Sequence, residues 1–255
     1  MSATPSEPIM MLARIAAKAG AVVMRHYEVG CGAREKADRS PVTDADEETE
    51  RLILSELGRA FPGVPVVAEE QMAAGHSAAA GACFFLVDPL DGTREFLSRN
   101  GEFTVNIAEI ADGVPVRGAV YAPARHRMFV GGDGAAFEMA PDLKQAKIIQ
   151  ARHLPADGLV AVGSRSHGDP ETENFLKKFT VREFISAGSS LKFCLLAAGE
   201  ADLYPRHGRT MEWDTAAGHA VLSAAGGSVT RWDGEPLIYG KPGFENPPFV
   251  ARGRI

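Results

Sequence analysis

The chain has 255 residues, 45% of them hydrophobic and 24% charged, with a formal net charge of −6 at pH 7. These values are ordinary for a globular protein and suit one large domain or two closely packed subdomains. The acidic balance argues against binding to a nucleic-acid polymer, which rests on clustered Lys and Arg.

The first eight residues are polar, contain Ser and Pro, and lack the basic and apolar regions of a signal peptide. No apolar run reaches the length of a transmembrane segment. A cytoplasmic location is the expectation, with peripheral membrane association left open. Residues 9–27 carry helical periodicity through Met10, Leu12, Ile15, Ala16, Ala19, Val22 and Val23, and the glycines at 30 and 32 end it. A second helix is predicted over residues 47–60, with Leu52, Ile53 and Leu57 on one face. Thr43 or Asp44 would cap it, Glu47 would take the third position of a capping box, and Asp46 would be free to orient a hydroxyl or a water. Phe61-Pro62-Gly63 breaks this helix, and the apolar run 64–68 then ends in Glu69-Glu70.

Residues 71–82 are rich in Ala and Gly and read as a mobile surface loop. The run Cys83-Phe84-Phe85-Leu86-Val87 reads as a buried strand, and strands dominate from there to about residue 149. The clearest are 104–110, 115–122 and 127–131, with turns at Asp112-Gly113 and Gly132-Asp133-Gly134. Beyond residue 151 the pattern alternates: strand 159–164, helix 171–179, strand 181–185, helix 189–198 and helix 214–225. The fold class expected is therefore an α+β half, residues 1–150, joined to an α/β half, residues 151–255. Cys31, Cys83 and Cys194 are widely spaced and odd in number, and two lie in apolar runs, so a disulfide framework is not expected.

Chemistry concentrates at Asp88-Pro89-Leu90-Asp91-Gly92-Thr93, directly after the run 83–87. Two carboxylates three residues apart, divided by proline, can point with the carbonyl between them at one spot. Such oxygens are the ligands of hard divalent cations, Mg²⁺ above all. Gly92 lets the backbone approach a bound group, and a helix starting at Thr93 would add an anion site. Asp-Pro and Asp-Gly are also common turn formers, so a lone copy reads as a loop. Two further acidic sites weigh against that reading. Glu69-Glu70 ends another apolar run, and Asp214 opens the small-residue helix Trp213-Asp214-Thr215-Ala216-Ala217-Gly218, where N-capping is its alternative role. Converging acids repel unless a cation sits among them. The chemistry these residues favour is metal-assisted attack of water on a phosphate ester.

The acidic pair, the D-P-L-D-G-T turn and the late W-D-T-A-A-G segment together resemble the inositol monophosphatase superfamily of metal-dependent, lithium-sensitive phosphatases. The resemblance spans nearly the whole chain and implies a layered αβαβα sandwich of the inositol monophosphatase / fructose-1,6-bisphosphatase-like fold. Residues 94–108, Ser164-Arg165-Ser166-His167, Gly188-Ser189-Ser190-Leu191-Lys192-Phe193-Cys194 and Leu203-Tyr204-Pro205-Arg206 further resemble the subfamily of bacterial 3'(2'),5'-bisphosphate nucleotidases of the CysQ type. The activity implied is hydrolysis of adenosine 3',5'-bisphosphate to AMP and phosphate, in support of sulfate assimilation. A phosphatase acting on inositol 1-phosphate or fructose 1,6-bisphosphate, and a catalytically inactive binding or regulatory relative, are the alternatives.

By the same resemblance, Glu69, Asp88 and the Leu90 carbonyl would hold one Mg²⁺, while Asp88, Asp91 and Asp214 would hold a second. Glu70 would serve a third, weakly held ion through water. Thr93, oriented by Asp46, would align and deprotonate the nucleophile, and the phosphate would rest on the N–H groups of Gly92 and Thr93. Glu69, Leu90, Asp91 and Asp214 would thus also border the substrate. His167, Ser189, Lys192 and Arg206 are implied for the nucleotide and its second phosphate. Residue by residue, Lys192 and Arg206 also read as solvated charges, Ser189-Ser190 as a helix cap, and His167 as the approach to a Gly-Asp-Pro turn. Arg94 and Glu95 are candidates for gating. Homodimers are common in the superfamily, so pairing of two chains is among its implications.

Overall fold

The computed structural model describes residues 4–36, 40–76, 80–164 and 169–254. Helix α1, Glu7–Val29, buries Ile9, Leu12, Ile15, Ala16, Ala19 and Val23, the stripe that the sequence periodicity anticipates except that Met10 and Val22 are only half-buried and Ile9 takes an inner place. A short antiparallel pair, β1 Ala33–Glu35 and β2 Pro41–Thr43, leads into α2, Asp44–Ala60. Strand β3, Val66–Ala68, runs directly into α3, Glu69–Ala73. The predicted loop 71–82 therefore begins as helix, because the two glutamates start a turn on which Gln71 and Met72 continue.

Strand β4, Cys83–Asp91, is followed by α4, Thr93–Leu97, and then by a meander. Its strands are β5 Thr104–Ala111, β6 Val114–Ala122, β7 Arg127–Gly132, β8 Ala135–Met139 and β9 Ala146–Ile149. The seven-stranded sheet has the order β3-β4-β5-β6-β7-β8-β9, antiparallel except for β3 beside β4.

The second half contributes β10 Leu159–Ser164, α5 Pro170–Leu176, β11 Val181–Ala187, α6 Leu191–Ala197 and β12 Leu203–Arg206. Next come β13 Thr210–Met211, α7 Glu212–Ala224, β14 Ser228–Arg231, β15 Glu245–Asn246 and β16 Phe249–Arg252. A five-stranded mixed sheet has the order β11-β10-β12-β16-β14. Strand β12 lies in its interior although it contains Pro205, which ordinarily argues against such a place. Its bridge to β10 is confined to Ala161 and Leu203, so Pro205 is not asked to donate toward β10.

Three apolar clusters set the layers. One joins α1 and α2 to one face of the seven-stranded sheet, through Ile15, Ile53, Phe85, Val87 and Ile107. A second fills the space between the two sheets with α6 and α7, through Phe84, Leu86, Phe193, Val221 and Phe249. A third seats α5 on the far face of the smaller sheet, through Phe175, Leu203 and Val250. The result is helices, sheet, helices, sheet, helix, the αβαβα sandwich.

The central layer depends on close approach. A Cβ on Gly118 of β6 would lie 2.6 Å from the Ala217 carbonyl, and one on Gly131 of β7 would lie 2.6 Å from the Val221 Cα. Glycine at both positions lets α7 lie against the sheet and brings its first turn, with Asp214, toward the end of β4.

Candidate active site

The D-P-L-D-G-T segment is built on a β-bulge. Opposite β5, Asp88 pairs with Asn106 and Asp91 with Thr104, so β4 advances three residues where β5 advances two. In a regular strand, residues three apart point to opposite faces. The inserted residue returns Asp91 to the face of Asp88, toward α6 and α7, while Leu90 stays in the core beneath α1 and α2. Proline has no N–H to lose at the bulge, and the Leu90 N–H closes it by donating to Asp88 Oδ1 at 3.0 Å. Gly92 follows with φ 89°, which glycine adopts without strain, and α4 starts at Thr93.

Asp46 joins this loop to α2. Thr43 is the helix cap, so the capping-box partner is Asp46 and not Glu47 as the sequence suggested. The extended conformation of Thr43 (φ −126°) starts the helix one residue earlier than an Asp44 cap would. Nor is Asp46 left free of capping: Oδ2 accepts from Thr43 N at 2.8 Å and Thr43 Oγ1 at 2.6 Å, while Oδ1 accepts from Thr93 Oγ1 at 3.2 Å. Burial pushes its pKa up to about 6, against the pull of the Thr43 hydrogen bonds.

Glu69 and Glu70 start α3, whose preceding Ala68 offers no side-chain cap. Glu50 of α2 supplies one, accepting from Glu70 N at 2.7 Å and Gln71 N at 2.9 Å. Burial raises its pKa to about 7. Sequence reading passed over Glu50, yet it stands on the stripe of Asp46, Ile53 and Leu57, where an acid is the signal. Lys36 was also missed. Its Nζ lies 2.7 Å from both Glu69 Oε1 and Glu70 Oε1. Burial pulls the Lys36 pKa down, but the two glutamates outweigh it and hold the ammonium above its usual range.

Asp214 is not the N-cap of α7. It occupies the third helical position, reaching back to accept from Met211 N at 2.7 Å. The helix starts earlier because buried Glu212 is fastened to Gly240 N and Lys241 N at 2.7 and 2.9 Å. Asp88 and Asp214 are both held far above the ordinary carboxylate range. Burial is the main cause for each, followed for Asp88 by Glu69, Asp91 and Asp214, and for Asp214 by Asp91 and Glu69. Asp91 is raised to about 6 by burial, partly offset by Lys192 and the Ser190 N–H. Acids that mutually raise one another's pKa in a buried site are the donor set a hard divalent cation relieves. These oxygens fit Mg²⁺ better than they fit a softer metal.

Glu69, Asp88, Leu90, Asp91, Gly92, Thr93 and Asp214 line one cleft of about 600 Å³, together with Ser189, Lys192 and Arg206. His167 lies outside the described residues. Ser189 has φ 49°, and its neighbour Ser190 donates its N–H to Asp91 Oδ2 at 2.5 Å. Lys192 and Arg206 are buried, which removes the reading of both as solvated surface charges. Lys192 Nζ donates to the Ser189 and Ala187 carbonyls at 2.5 and 3.3 Å, and burial lowers its pKa to about 8. Arg206 Nε donates to the Gly208 carbonyl at 3.1 Å. Arg94 and Glu95 also border the cleft. At its rim, Asp169, Glu171 and His207 bring ligand atoms within 4.8 Å of one another, but both Asp169 carboxylate oxygens already cap α5 through Thr172. The three cysteines are free, with Cys194 buried and Cys83, contrary to its apolar surroundings in sequence, exposed at the start of β4.

The profile of the inositol monophosphatase family matches residues 6–251. The 3'(2'),5'-bisphosphate nucleotidase CysQ of Shigella flexneri is 44% identical over 242 residues, covering 92% of this chain and 96% of that protein. CysQ of Escherichia coli K12 is 44% identical over 243 residues with the same coverage. Among solved structures, CysQ of Bacteroides thetaiotaomicron superposes with a TM-score of 0.82 at 37% identity, covering 97% of each chain.

Proposed function

Because the chain belongs to the inositol monophosphatase family, we propose that it is a metal-dependent 3'(2'),5'-bisphosphate nucleotidase that removes the 3'-phosphate of adenosine 3',5'-bisphosphate, giving AMP and phosphate in support of sulfate assimilation. The observation that carries the chemistry is the bulge that turns Asp88 and Asp91 to one face of β4, beside Glu69 and Asp214 in the same cleft.

We assign Glu69, Asp88 and the Leu90 carbonyl to one Mg²⁺, and Asp88, Asp91 and Asp214 to a second, with Glu70 and Lys36 adjusting the charge beside the first. Bound there, the ions supply Lewis-acid stabilisation of the phosphoryl and leaving oxygens and acidify water. Thr93 orients the attacking water through Oγ1, and Asp46, whose pKa of about 6 leaves it ionised at neutral pH, takes up the proton through that hydroxyl. The N–H groups of Gly92 and Thr93 receive the phosphate. Ser189 and Arg206 border the nucleotide, and the Lys192 ammonium acts from beneath Ser189 as a fixed charge. No helix among the described residues is long and apolar enough to cross a membrane.

Substitution of Asp88 by Asn tests the site. Asp88 is the acid shared by both ion sites, so phosphate release from adenosine 3',5'-bisphosphate is expected to fall by roughly three orders of magnitude or more at saturating Mg²⁺. A variant with near-normal turnover would remove the metal assignment.

A further inference from the structure

Ser189 sits in the left-handed region at φ 49°, where a side chain other than glycine is uncommon, so something must hold it there. Its own hydroxyl lies 3.5 Å from the Leu191 N–H, a weak contact. Ser190 is different. Its N–H meets Asp91, and its hydroxyl meets Thr104 Oγ1 at 2.8 Å and Asn106 Oδ1 at 2.7 Å, so it is anchored on β4 and β5 directly.

On the other side of Ser189, the Gly188 N–H donates to Glu102 Oε2 at 2.9 Å. The other oxygen of this buried carboxylate accepts from Arg125 Nη2 at 2.8 Å, which fixes its orientation. The fit around Gly188 is close: a Cβ there would lie 2.7 Å from the Glu102 carbonyl and 2.8 Å from Glu95 Cγ. The same carbonyl lies 3.2 Å from where a Gly92 Cβ would be. Glu102 thus stands between the turn proposed to hold phosphate and the turn that carries Ser189.

We propose that Glu102 is a positioning residue for nucleotide recognition, its carboxylate holding Gly188 so that Ser189 keeps the left-handed turn forming one wall of the cleft. This rests on the nucleotidase reading above. It differs from a role in metal binding, because Asp91 retains its contacts to Ser190 and Asn106 without Glu102.

The test is steady-state phosphate release from adenosine 3',5'-bisphosphate across Mg²⁺ concentrations, for the full chain and for Glu102→Ala, Glu102→Gln and Arg125→Ala. Glu102→Ala is expected to raise KM about five- to tenfold, the effect of losing one orienting hydrogen bond to a buried N–H, with kcat and the Mg²⁺ midpoint within about twofold. Glu102→Gln keeps an acceptor for Gly188 and is expected to recover most of the loss. Arg125→Ala leaves the Gly188 bond but frees the carboxylate, and is expected to raise KM by a smaller factor in the same direction. Should Glu102→Ala fail to fold, the Gln and Arg125 variants decide the question by the same ordering. KM unmoved in the variants, a fall confined to kcat or to the Mg²⁺ midpoint, or Gln no better than Ala would each overturn the proposal. No turnover by the unaltered chain would instead overturn the nucleotidase reading on which it rests.

Discussion

At the scale of single residues, Asp46 combines two duties that sequence alone divides between neighbours. One carboxylate oxygen closes the cap of α2 on Thr43, and the other receives the Thr93 hydroxyl. A helix start thereby fixes the direction of the carboxylate proposed to take up the proton. Burial raises the pKa of Asp46 to about 6, so the basic form dominates above that pH and is lost below it. kcat/KM is therefore expected to fall as pH drops through about 6. Asp46→Asn should lower kcat by roughly a hundredfold or more and remove that acidic limb from the pH–rate profile. A variant with an unchanged limb would assign the proton to another group. The ligand-type acids were legible in sequence because each ends an apolar run or opens a helix. Lys36 and Glu102 were not, since their roles arise from partners 33 and 86 residues away, and Glu50, marked only as an acid on the buried stripe of α2, gave no sign of its partner 20 residues on.

At the scale of elements, the site depends on how closely α7 lies against the larger sheet. Gly118 is one of its two points of contact, with Gly131, and a methyl there would meet the Ala217 carbonyl at 2.6 Å. Backbone cannot yield as the tip of a side chain can, so Gly118→Ala is expected to cost about 1–3 kcal/mol of stability. Because α7 must shift and carries Asp214 in its first turn, activity should fall further than stability alone explains. Thermal melts and turnover on the same preparation would separate the two, and a variant with wild-type melting and activity would show that α7 has room to spare. Helix periodicity and alternating strands made α1, α2 and the β5–β7 meander legible, because each buries one regular stripe. Strand β12 escaped notice because Pro205 argues against an interior strand unless one knows that β10 pairs with it only at Leu203. Helix α3 escaped because its first turn is capped by Glu50 from another helix.

At the scale of the molecule, the αβαβα layering explains why the acids converge. The larger sheet supplies Asp88 and Asp91 at a bulge, α3 supplies Glu69 beside them, and the helical layer between the sheets supplies Asp214. Residues of the second half, Ser189, Lys192 and Arg206, complete the cleft from the other side. The family resemblance carried by the carboxylate motifs implied this layering, and the order of elements along the chain alone only permitted it. The wall of the cleft was less so: whether a lysine faces solvent or lies bound to backbone carbonyls depends on packing across both halves.

The measurement to make is Mg²⁺-dependent phosphate release from adenosine 3',5'-bisphosphate, inositol 1-phosphate and fructose 1,6-bisphosphate side by side, with one enzyme preparation. A strong preference in kcat/KM for the nucleotide is expected. Preference for either sugar phosphate would leave the metal site standing but contradict the nucleotidase assignment, and no release from any of the three would contradict catalysis itself.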